Sequence, residues 1–264
     1  MTLDDLFDLV RTGGLGPSPA RCSVSVAFTT RQGARHATRG RSYRNTVVSL
    51  RVEEAVGSCA VEDISDEEVH GCVGAAVPDL LDHPNPAIRT AALDAYLAHA
   101  RPHHSSATRS VTIGPGNSLA KSLARARAVV DLLDPAPGDR VLVVGVVNSL
   151  LHHLRERGAT YVPCDLRGGR TEWDEPVTTD ALGALEGCDL VLASGMTVGN
   201  GTFEPLLRHA ADAGKPVVAF AQTAGAVLPW FIGHGVRAVS AEPYPFFWLD
   251  GGPTTIHHYA ERPS

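Results

Sequence analysis

The chain has few of the features that mark nucleic-acid-binding, membrane and secreted proteins. It contains only two lysines, Lys121 and Lys215, and its formal net charge of −6 gives no global attraction to nucleic acid. No apolar run reaches the roughly 18 residues that a membrane-spanning helix requires. The first residues are acidic, unlike those of a signal or transit peptide. We therefore expect a cytoplasmic protein with no nucleic-acid partner and no membrane association.

Cysteine and histidine patterns give little support for a metal centre. The five cysteines are scattered, and none forms a C-x-x-C pair, so neither a disulfide framework nor a structural zinc site is expected. Histidines are more common, and three adjacent pairs lie mostly in segments that look like surface: His103-His104, His152-His153 and His257-His258. Because neighbouring side chains point in different directions, one pair is not expected to supply two ligands. We predict no tightly bound metal.

Length and composition predict a globular protein of about two domains. Apolar residues make up 44% of the 264 residues, enough to bury a core. Residues 1–110 form the smaller predicted domain, of α+β type. Its predicted elements are a helix within 1–16, strands over 22–29 and 45–52 with a hairpin turn near Gln32-Gly33, a helix starting at Ser65, and a helix over 86–100.

Residues 111–264 predict a different architecture, because apolar strands alternate with helices. The predicted strands cover 140–145, 160–164, 189–194, 215–221 and 236–240. The predicted helices cover 119–133, 149–157, 179–185, 203–213 and 228–233. Continuous apolar strands are typical of a parallel sheet covered on both faces. This domain is therefore predicted to be an α/β, doubly wound, Rossmann-like fold.

The loops after the strands are the predicted binding site, because ligands of open α/β sheets bind beyond the carboxyl ends of the strands. These loops cover residues 145–149, 165–169, 194–202 and 222–225. The first begins at Gly145 but has Val147 where a dinucleotide site needs its second glycine. This substitution argues against a standard NAD site.

Asp165 favours a different adenosyl ligand. It ends the second strand, 20 residues after Gly145, where an acidic residue commonly holds ribose hydroxyls. S-adenosylmethionine sites use this position and contain no pyrophosphate, so S-adenosylmethionine is favoured over NAD. Gly145 and Asn148 would lie near the same ligand. The alternative is that Asp165 caps a turn with Gly168-Gly169.

The loop 194–202 is rich in glycine and small polar residues, and it precedes a helix. It could bind a carboxylate or phosphate through backbone N–H groups, or it could be a plain connection with Thr202 as the helix N-cap. The predicted cofactor-binding residues here and on the next strand are Ser194, Gly195, Thr197, Gln222 and Thr223. The predicted catalytic residues are Asn200, Thr202 and Lys121; the alternative for Lys121 is a solvated helix residue.

Two further segments leave alternatives open. Residues 11–51 contain eight arginines and no acidic residue, which indicates either a basic binding face or a solvated face. Residues 243–250 concentrate aromatic side chains in a chain that has 6% of them. They could hold a cation such as a sulfonium, fill the core, or form an oligomer interface. A homodimer is one expectation.

Three segments together resemble a known family. They are residues 85–96, a small-residue helix; residues 193–207, which contain Asn200-Gly201-Thr202; and residues 218–229, a small polar loop before a short helix. This pattern resembles a bacterial and archaeal family named for heavy-metal chelation. The resemblance implies an enolase-N-terminal-like domain, a Rossmann-like domain, and an active site in the cleft between them.

We therefore predict a small-molecule enzyme that binds S-adenosylmethionine and acts on an amino-acid-like metabolite by transfer or cyclisation. Positioning of the reactants would supply most of the catalysis. The alternative is a non-catalytic protein that binds a metal or metallophore. In that case ligands would assemble across the cleft, where His36, His70 or His83 could join Asp165.

Overall fold

The computed structural model describes residues 1–35, 42–246 and 249–261, and its first part is a three-stranded antiparallel sheet covered by helices. The strands, in the order β1-β2-β3, are β1 (Val24–Arg35), β2 (Ser42–Val52) and β3 (Ala55–Val61). The helices are α1 (Leu3–Arg11), α2 (Asp66–His70), α3 (Val77–Leu81), α4 (Pro86–Ala100) and α5 (His103–Ser106), with a 3₁₀ turn at Pro19–Arg21.

Helix α4 has the predicted bounds, and its sequence explains both its start and its burial. The Asn85 side chain accepts a hydrogen bond from the Ala87 N–H, and Pro86 occupies the first helical position, where its missing N–H costs nothing. Ten of its fifteen residues are buried, because it packs against β2 and β3. The predicted start of α2 is also confirmed, since the Ser65 hydroxyl caps the Glu68 N–H.

The second part is a seven-stranded sheet in the order β4-β10-β9-β8-β7-β5-β6. Its strands are β4 (Arg109–Ile113), β5 (Arg140–Val144), β6 (Thr160–Cys164), β7 (Leu190–Ser194), β8 (Val217–Ala221), β9 (Val236–Ala241) and β10 (Thr254–Ala260). Strands β5 to β9 are parallel, and β10 runs antiparallel to both of its neighbours. The helices are α6 (Ser118–Leu133), α7 (Asn148–Glu156), α8 (Ala181–Leu185), α9 (Met196–Gly199) and α10 (Phe203–Asp212), with a 3₁₀ turn at Leu228–Phe231.

Alternate residues of the strands feed two separate cores. In β5, Val141 and Val143 pack with residues of α6 and α7, whereas Leu142 and Val144 belong to the core on the other face. That second core continues into α4 of the first part, where Ile88 is fully buried. The sheet is thus covered on both faces, as its apolar strands predict, and the two parts share one core.

Asp94 also joins the two parts. It lies on α4 and is only 5% exposed. Its Oδ2 accepts a hydrogen bond of 2.9 Å from the Ser58 N–H in β3, and its Oδ1 accepts one of 2.7 Å from the Ala226 N–H beyond β8. One buried carboxylate therefore satisfies backbone donors from both sheets.

Several local predictions are wrong. The two predicted strands are antiparallel neighbours, as a hairpin requires, but Gln32 and Gly33 are not its turn, because β1 continues to Arg35 and pairs them with Asn45 and Arg44. Strands β3, β4 and β10 were not predicted, and the loop 194–202 contains the short helix α9. The predicted division into domains after residue 110 stays a prediction; that residue lies inside β4, which pairs along its length with β10.

The histidine pairs are also less exposed than predicted. His103, His257 and His258 are all buried. The rings of His103 and His257 stack with centroids 5.4 Å apart, and His103 Nδ1 lies 2.7 Å from the Tyr259 hydroxyl. Burial lowers the pKa of both His103 and His258 to about 4. These side chains are therefore neutral core residues at physiological pH.

The architecture is an α/β fold with a mostly parallel seven-stranded sheet, in agreement with the predicted fold class. The finer description, an enolase-N-terminal-like domain with a Rossmann-like domain, stays a prediction. In the described part of the chain, every helix is too short or too polar to cross a membrane.

Candidate functional site

A cavity of about 420 Å³ opens where the two parts of the molecule meet. It lies at the carboxyl ends of β5, β6 and β7, and Arg44, Asn45 and Glu62 of the first part complete its lining. Strands β6 and β7 lie on opposite sides of β5, so the chain reverses its direction of winding there. Such a switch point creates the crevice in which open α/β sheets bind ligands.

Two glycines of the predicted binding site allow the backbone around this cleft to pack closely. Gly145 follows β5 with a φ of 87°, and a Cβ there would lie 2.6 Å from the Ser194 Cβ. A Cβ on Gly195 would lie 2.1 Å from the Thr223 carbonyl oxygen. These glycines hold neighbouring strand ends together, which gives them a packing role whether or not they touch a ligand.

Asp165 lies on the cavity wall and also stabilises its own loop. Its Oδ1 accepts a hydrogen bond of 3.0 Å from the Arg167 N–H, and its Oδ2 accepts one of 3.4 Å from the Val146 N–H. The carboxylate thus connects the loop after β6 to the loop after β5 while it lines the cavity. Both interpretations of Asp165, turn cap and ligand-facing acid, agree with this geometry.

A buried ion pair at the cleft was not predicted from the sequence. Arg125 of α6 lines the cavity and forms a salt bridge with Glu242, and their side chains are 7% and 3% exposed. Gln222 Nε2 donates a hydrogen bond of 2.9 Å to Glu242 Oε2. Among the described residues, Glu242 Oε1 has no hydrogen-bond partner. Because Glu242 directly follows β9, the rule that sites lie at strand ends could have found it.

A second ion pair crosses the mouth of the cleft. Arg167 donates two hydrogen bonds to the Glu62 carboxylate, of 3.1 and 2.6 Å, and one of 3.4 Å to the Arg44 carbonyl oxygen. Hydrogen bonding to Glu62 raises the pKa of Arg167. Both partners are more than half exposed, so the pair adds at most ~1 kcal/mol to stability. It connects the basic segment around Arg44 to the loop after Asp165.

Most of the predicted site residues lie on the cavity wall. They are Gly145, Asn148, Asp165, Ser194, Thr197, Asn200, Thr202 and Gln222. Asn200 and Thr202 contact each other, because Asn200 Oδ1 accepts hydrogen bonds from both the N–H and the hydroxyl of Thr202. Thr202 occupies the N-cap position of α10, but its side chain caps no helical N–H.

Three predicted residues, Gly195, Thr223 and Lys121, are outside the cavity lining. Lys121 is 1% exposed, so its interpretation as a solvated residue is wrong. Its Nζ donates hydrogen bonds to the carbonyl oxygens of Asp250 and Gly252. Lys121 therefore holds the segment before β10 against α6, and we leave it out of the candidate catalytic residues.

The described rings of the aromatic segment pack against each other and against Phe28. Tyr244 packs edge-on against Phe28 and Phe246, at centroid distances of 5.1 and 5.4 Å, and Phe246 is 1% exposed. None of these three rings is among the residues that line the cavity. Phe247 and Trp248 lie outside the described residues, so the predicted cation site remains a prediction for them.

Comparison with known proteins gives the same fold. The protein of unknown function from the DUF364 family of Desulfitobacterium hafniense DCB-2 is similar, with a TM-score of 0.62, 16% identity, and coverage of 96% of this chain and 98% of that one. A second protein of unknown function from that family, from Pyrococcus horikoshii, is also similar. Its TM-score is 0.56 and its identity 14%, and the match covers 97% of this chain and 99% of that one. Residues 128–241 match the DUF364 family model. The family carries the description "Putative heavy-metal chelation", so the resemblance seen in the sequence is confirmed.

The DUF364 segment supplies the strand-end side of the cleft, from Gly145 to Gln222. The opposite side, with Arg44, Glu62 and Arg125, lies outside the matched residues. At identities of 14–16%, the structural similarity establishes the fold alone. No curated protein matches the chain.

The described lining of the cleft offers few of the usual ligands of a transition metal. Its lining includes no histidine among the described residues, and burial raises the pKa of Cys164 to about 11, so this thiol carries its proton at neutral pH. His70 and His83 form no ligand group with Asp165, and His36 lies outside the described residues. Within the part of the chain that the structure describes, the single group of three potential ligands is His152, His153 and Glu156 on α7.

Proposed function

We propose that the interdomain cleft binds a small metabolite that carries an adenosyl group and a carboxylate, with S-adenosylmethionine favoured over NAD. The observation that carries this proposal is the position of the Asp165 carboxylate, on the cavity wall at the end of the second parallel strand. A carboxylate at this position can accept hydrogen bonds from both ribose hydroxyls.

The first turn of α7 supports a ligand without a pyrophosphate. Val147 lines the cavity at the position where a dinucleotide site needs its second glycine, and its side chain opposes the close approach of a diphosphate. Val147 also caps α7 without a side-chain hydrogen bond. The partial positive charge of this helix end favours one anionic group nearby, such as a carboxylate.

The charges around the cleft support the same ligand class. Its lining contains four arginines, Arg44, Arg125, Arg167 and Arg170, and two carboxylates, Glu62 and Asp165. Three of the arginines have carboxylate partners, since Arg170 also pairs with Asp174, so the wall presents charges of both signs, which suits a zwitterionic molecule. Because Arg125 and Arg167 already pair with carboxylates, they act on the ligand through a network rather than as isolated charges.

We further propose that the protein is an enzyme that acts by positioning. Asn200 and Thr202, joined by their hydrogen bonds, would orient the reacting group of an amino-acid-like substrate beside the adenosyl ligand. Fixing two reactants in this way supplies much of the barrier reduction for a transfer or cyclisation.

Calorimetry with the purified protein tests the adenosyl assignment. We expect S-adenosylmethionine to bind and to raise Tm, and NAD to bind more weakly. Asp165→Asn should weaken S-adenosylmethionine at least ten-fold, because a charge-assisted hydrogen bond of ~1.5–3 kcal/mol is lost. The matched control is Asp212→Asn, at an exposed position on α10. Equal affinities in the wild type and Asp165→Asn would refute the ribose assignment.

The second candidate function is a non-catalytic protein that binds a metal or metallophore, which the family description favours. The same thermal-shift experiment separates the two. If transition-metal ions raise Tm and adenosyl compounds leave it unchanged, the metal-binding function replaces the first proposal.

A further inference from the structure

Helix α7 carries three potential metal ligands on its outer surface, away from the cleft lining. His152 Nε2 lies 3.3 Å from Glu156 Oε1, and His153 Nδ1 lies 2.7 Å from Glu156 Oε2. The donor atoms all lie within 4.8 Å of one another. In a tetrahedral site with bonds of about 2.0–2.2 Å, neighbouring ligand atoms are roughly 3.3–3.6 Å apart. Small rotations of the His152 and Glu156 side chains, which are 40% and 57% exposed, would bring these donors to that spacing around the mostly buried His153.

The two adjacent histidines converge because they use different ring nitrogens. Their side chains leave the helix in different directions, but the rings meet edge to face, with centroids 5.1 Å apart and planes at 67°. Nε2 of His152 and Nδ1 of His153 then both face Glu156, which lies one turn further along α7. This pair can therefore supply two ligands to one ion, contrary to the expectation from the sequence that adjacent histidines point in different directions.

A carbonyl group on α6 orients His153 as a ligand. Nε2 of His153 lies 2.9 Å from the Leu123 carbonyl oxygen, which can only accept, so Nε2 carries a hydrogen. Metal-binding histidines typically donate their second ring N–H to such an acceptor, which fixes the tautomer. The remaining nitrogen, Nδ1, faces the Glu156 carboxylate and needs either a proton or a cation between them.

The surroundings leave room for an ion and limit its affinity. A cavity of about 340 Å³ adjoins His153 and Glu156, which provides space for a water molecule as the fourth ligand. Arg127 and Arg157 line the same cavity, and their charges oppose a cation, although Arg157 pairs with Asp131.

We propose that His152, His153 and Glu156 form an exchangeable site for one borderline divalent transition-metal ion, with Zn²⁺ as the representative occupant. Two imidazole nitrogens and one carboxylate oxygen are a donor set that such ions accept. With three protein ligands and an open fourth position, the ion would exchange with solvent. This site is independent of the adenosyl ligand proposed for the cleft.

Calorimetric titration of the chelator-treated full chain with ZnCl₂ tests the site. We expect one Zn²⁺ per chain, and a loss of affinity of ten-fold or more in His152→Gln and again in His153→Gln. His234→Gln, at an exposed histidine outside the cluster, is the matched control and should bind like the wild type. Asp165→Asn should also bind Zn²⁺ normally, which separates this site from the cleft.

Co²⁺ substitution provides a spectroscopic readout of the ligands. We expect visible absorption bands of four-coordinate Co²⁺ in the wild type and their loss in the double variant His152→Gln/His153→Gln. If His153→Gln fails to fold, His152→Gln decides alone, because the His152 side chain is 40% exposed and contributes little to the core. Absence of Zn²⁺ binding to the wild type, or unchanged binding by His152→Gln, would overturn the proposal.

Discussion

Replacing Asp94 with asparagine should change how the stability of the protein depends on pH. The buried carboxylate accepts hydrogen bonds from Ser58 and Ala226, in the two parts of the molecule. Burial raises its pKa to about 7, against ~3.9 in an unfolded chain. Between these two values the native state holds a proton that the unfolded state has lost.

The sign and size of the effect follow from this difference. A group whose pKa is higher in the folded than in the unfolded state contributes stability to the fold. This contribution is complete below the pKa of the unfolded state and is lost as the pH rises through the pKa of the folded state. From pH 5 to pH 7 the loss amounts to about 2 kcal/mol of unfolding free energy. An asparagine at this position has no ionisation to contribute, so the effect of Asp94→Asn should be about 2 kcal/mol larger at pH 5 than at pH 7. His103 and His258 have lowered pKa values and produce the opposite slope, but they are common to both proteins and cancel.

Urea denaturation of the wild type and Asp94→Asn at both pH values measures this difference. Asp212→Asn, at an exposed carboxylate, should show the same small effect at pH 5 and pH 7. An Asp94→Asn effect that is equal at the two pH values would mean that the native carboxylate is ionised throughout. In that case desolvation would not dominate its pKa, and the reasoning above would be wrong.

Two further substitutions test the architecture of the site. Lys121→Met should lower the unfolding free energy, measured by urea denaturation, by about 1.5–3 kcal/mol, because the carbonyls of Asp250 and Gly252 lose a charged donor. The affinity of the cleft for its ligand should stay unchanged. A fall in affinity with no loss of stability would contradict the structural role of Lys121. Gly145→Ala should cost about 1–3 kcal/mol in the same assay and weaken the cleft ligand, because its Cβ would meet Ser194 at a positive φ. Gly187→Ala, whose nearest contact would be 3.7 Å away, is the matched control, and equal stability of the two variants would contradict the packing argument.

The parallel core of the sheet could be predicted from the sequence because burial on both faces makes its strands continuously apolar. The strand over 160–164 has the predicted bounds, and β5 ends one residue earlier than predicted. The rule that ligands bind at strand ends then led from these strands to Asp165, Asn148 and Ser194, all of which line the cavity. Local pattern and overall fold agree in this region.

Strand β10 could not be predicted, because its burial depends on distant residues. The two histidines at its centre look polar in the sequence, yet His257 stacks on His103 and lies 2.9 Å from the Ser110 hydroxyl. These partners come from α5 and β4, which precede β10 by about half the chain. No local periodicity records such contacts, so tertiary packing overrides the sequence pattern.

The rest of the cleft escaped prediction for a similar reason. Arg44 and Glu62 approach Arg167 only because the two sheets share one core. Arg125 and Glu242 meet because α6 packs beside the carboxyl end of β9. Each charged residue, taken alone in the sequence, is indistinguishable from an exposed one, and only its partner explains its burial.

The position of β10 between β4 and β9 has a consequence for synthesis on the ribosome. Strand β4 is made early, yet its only partner in the described sheet, β10, ends at Ala260. Until β10 has been synthesised, the edges of β4 and β9 that will pair with it present free backbone N–H and C=O groups, which are templates for association with other chains. Every residue that lines the cleft, up to Gln222, is already synthesised before β9 begins. A ligand or chaperone that engages the nascent chain at that point would therefore meet all the lining residues, with Arg125 still without Glu242, on a sheet that lacks its closing strand.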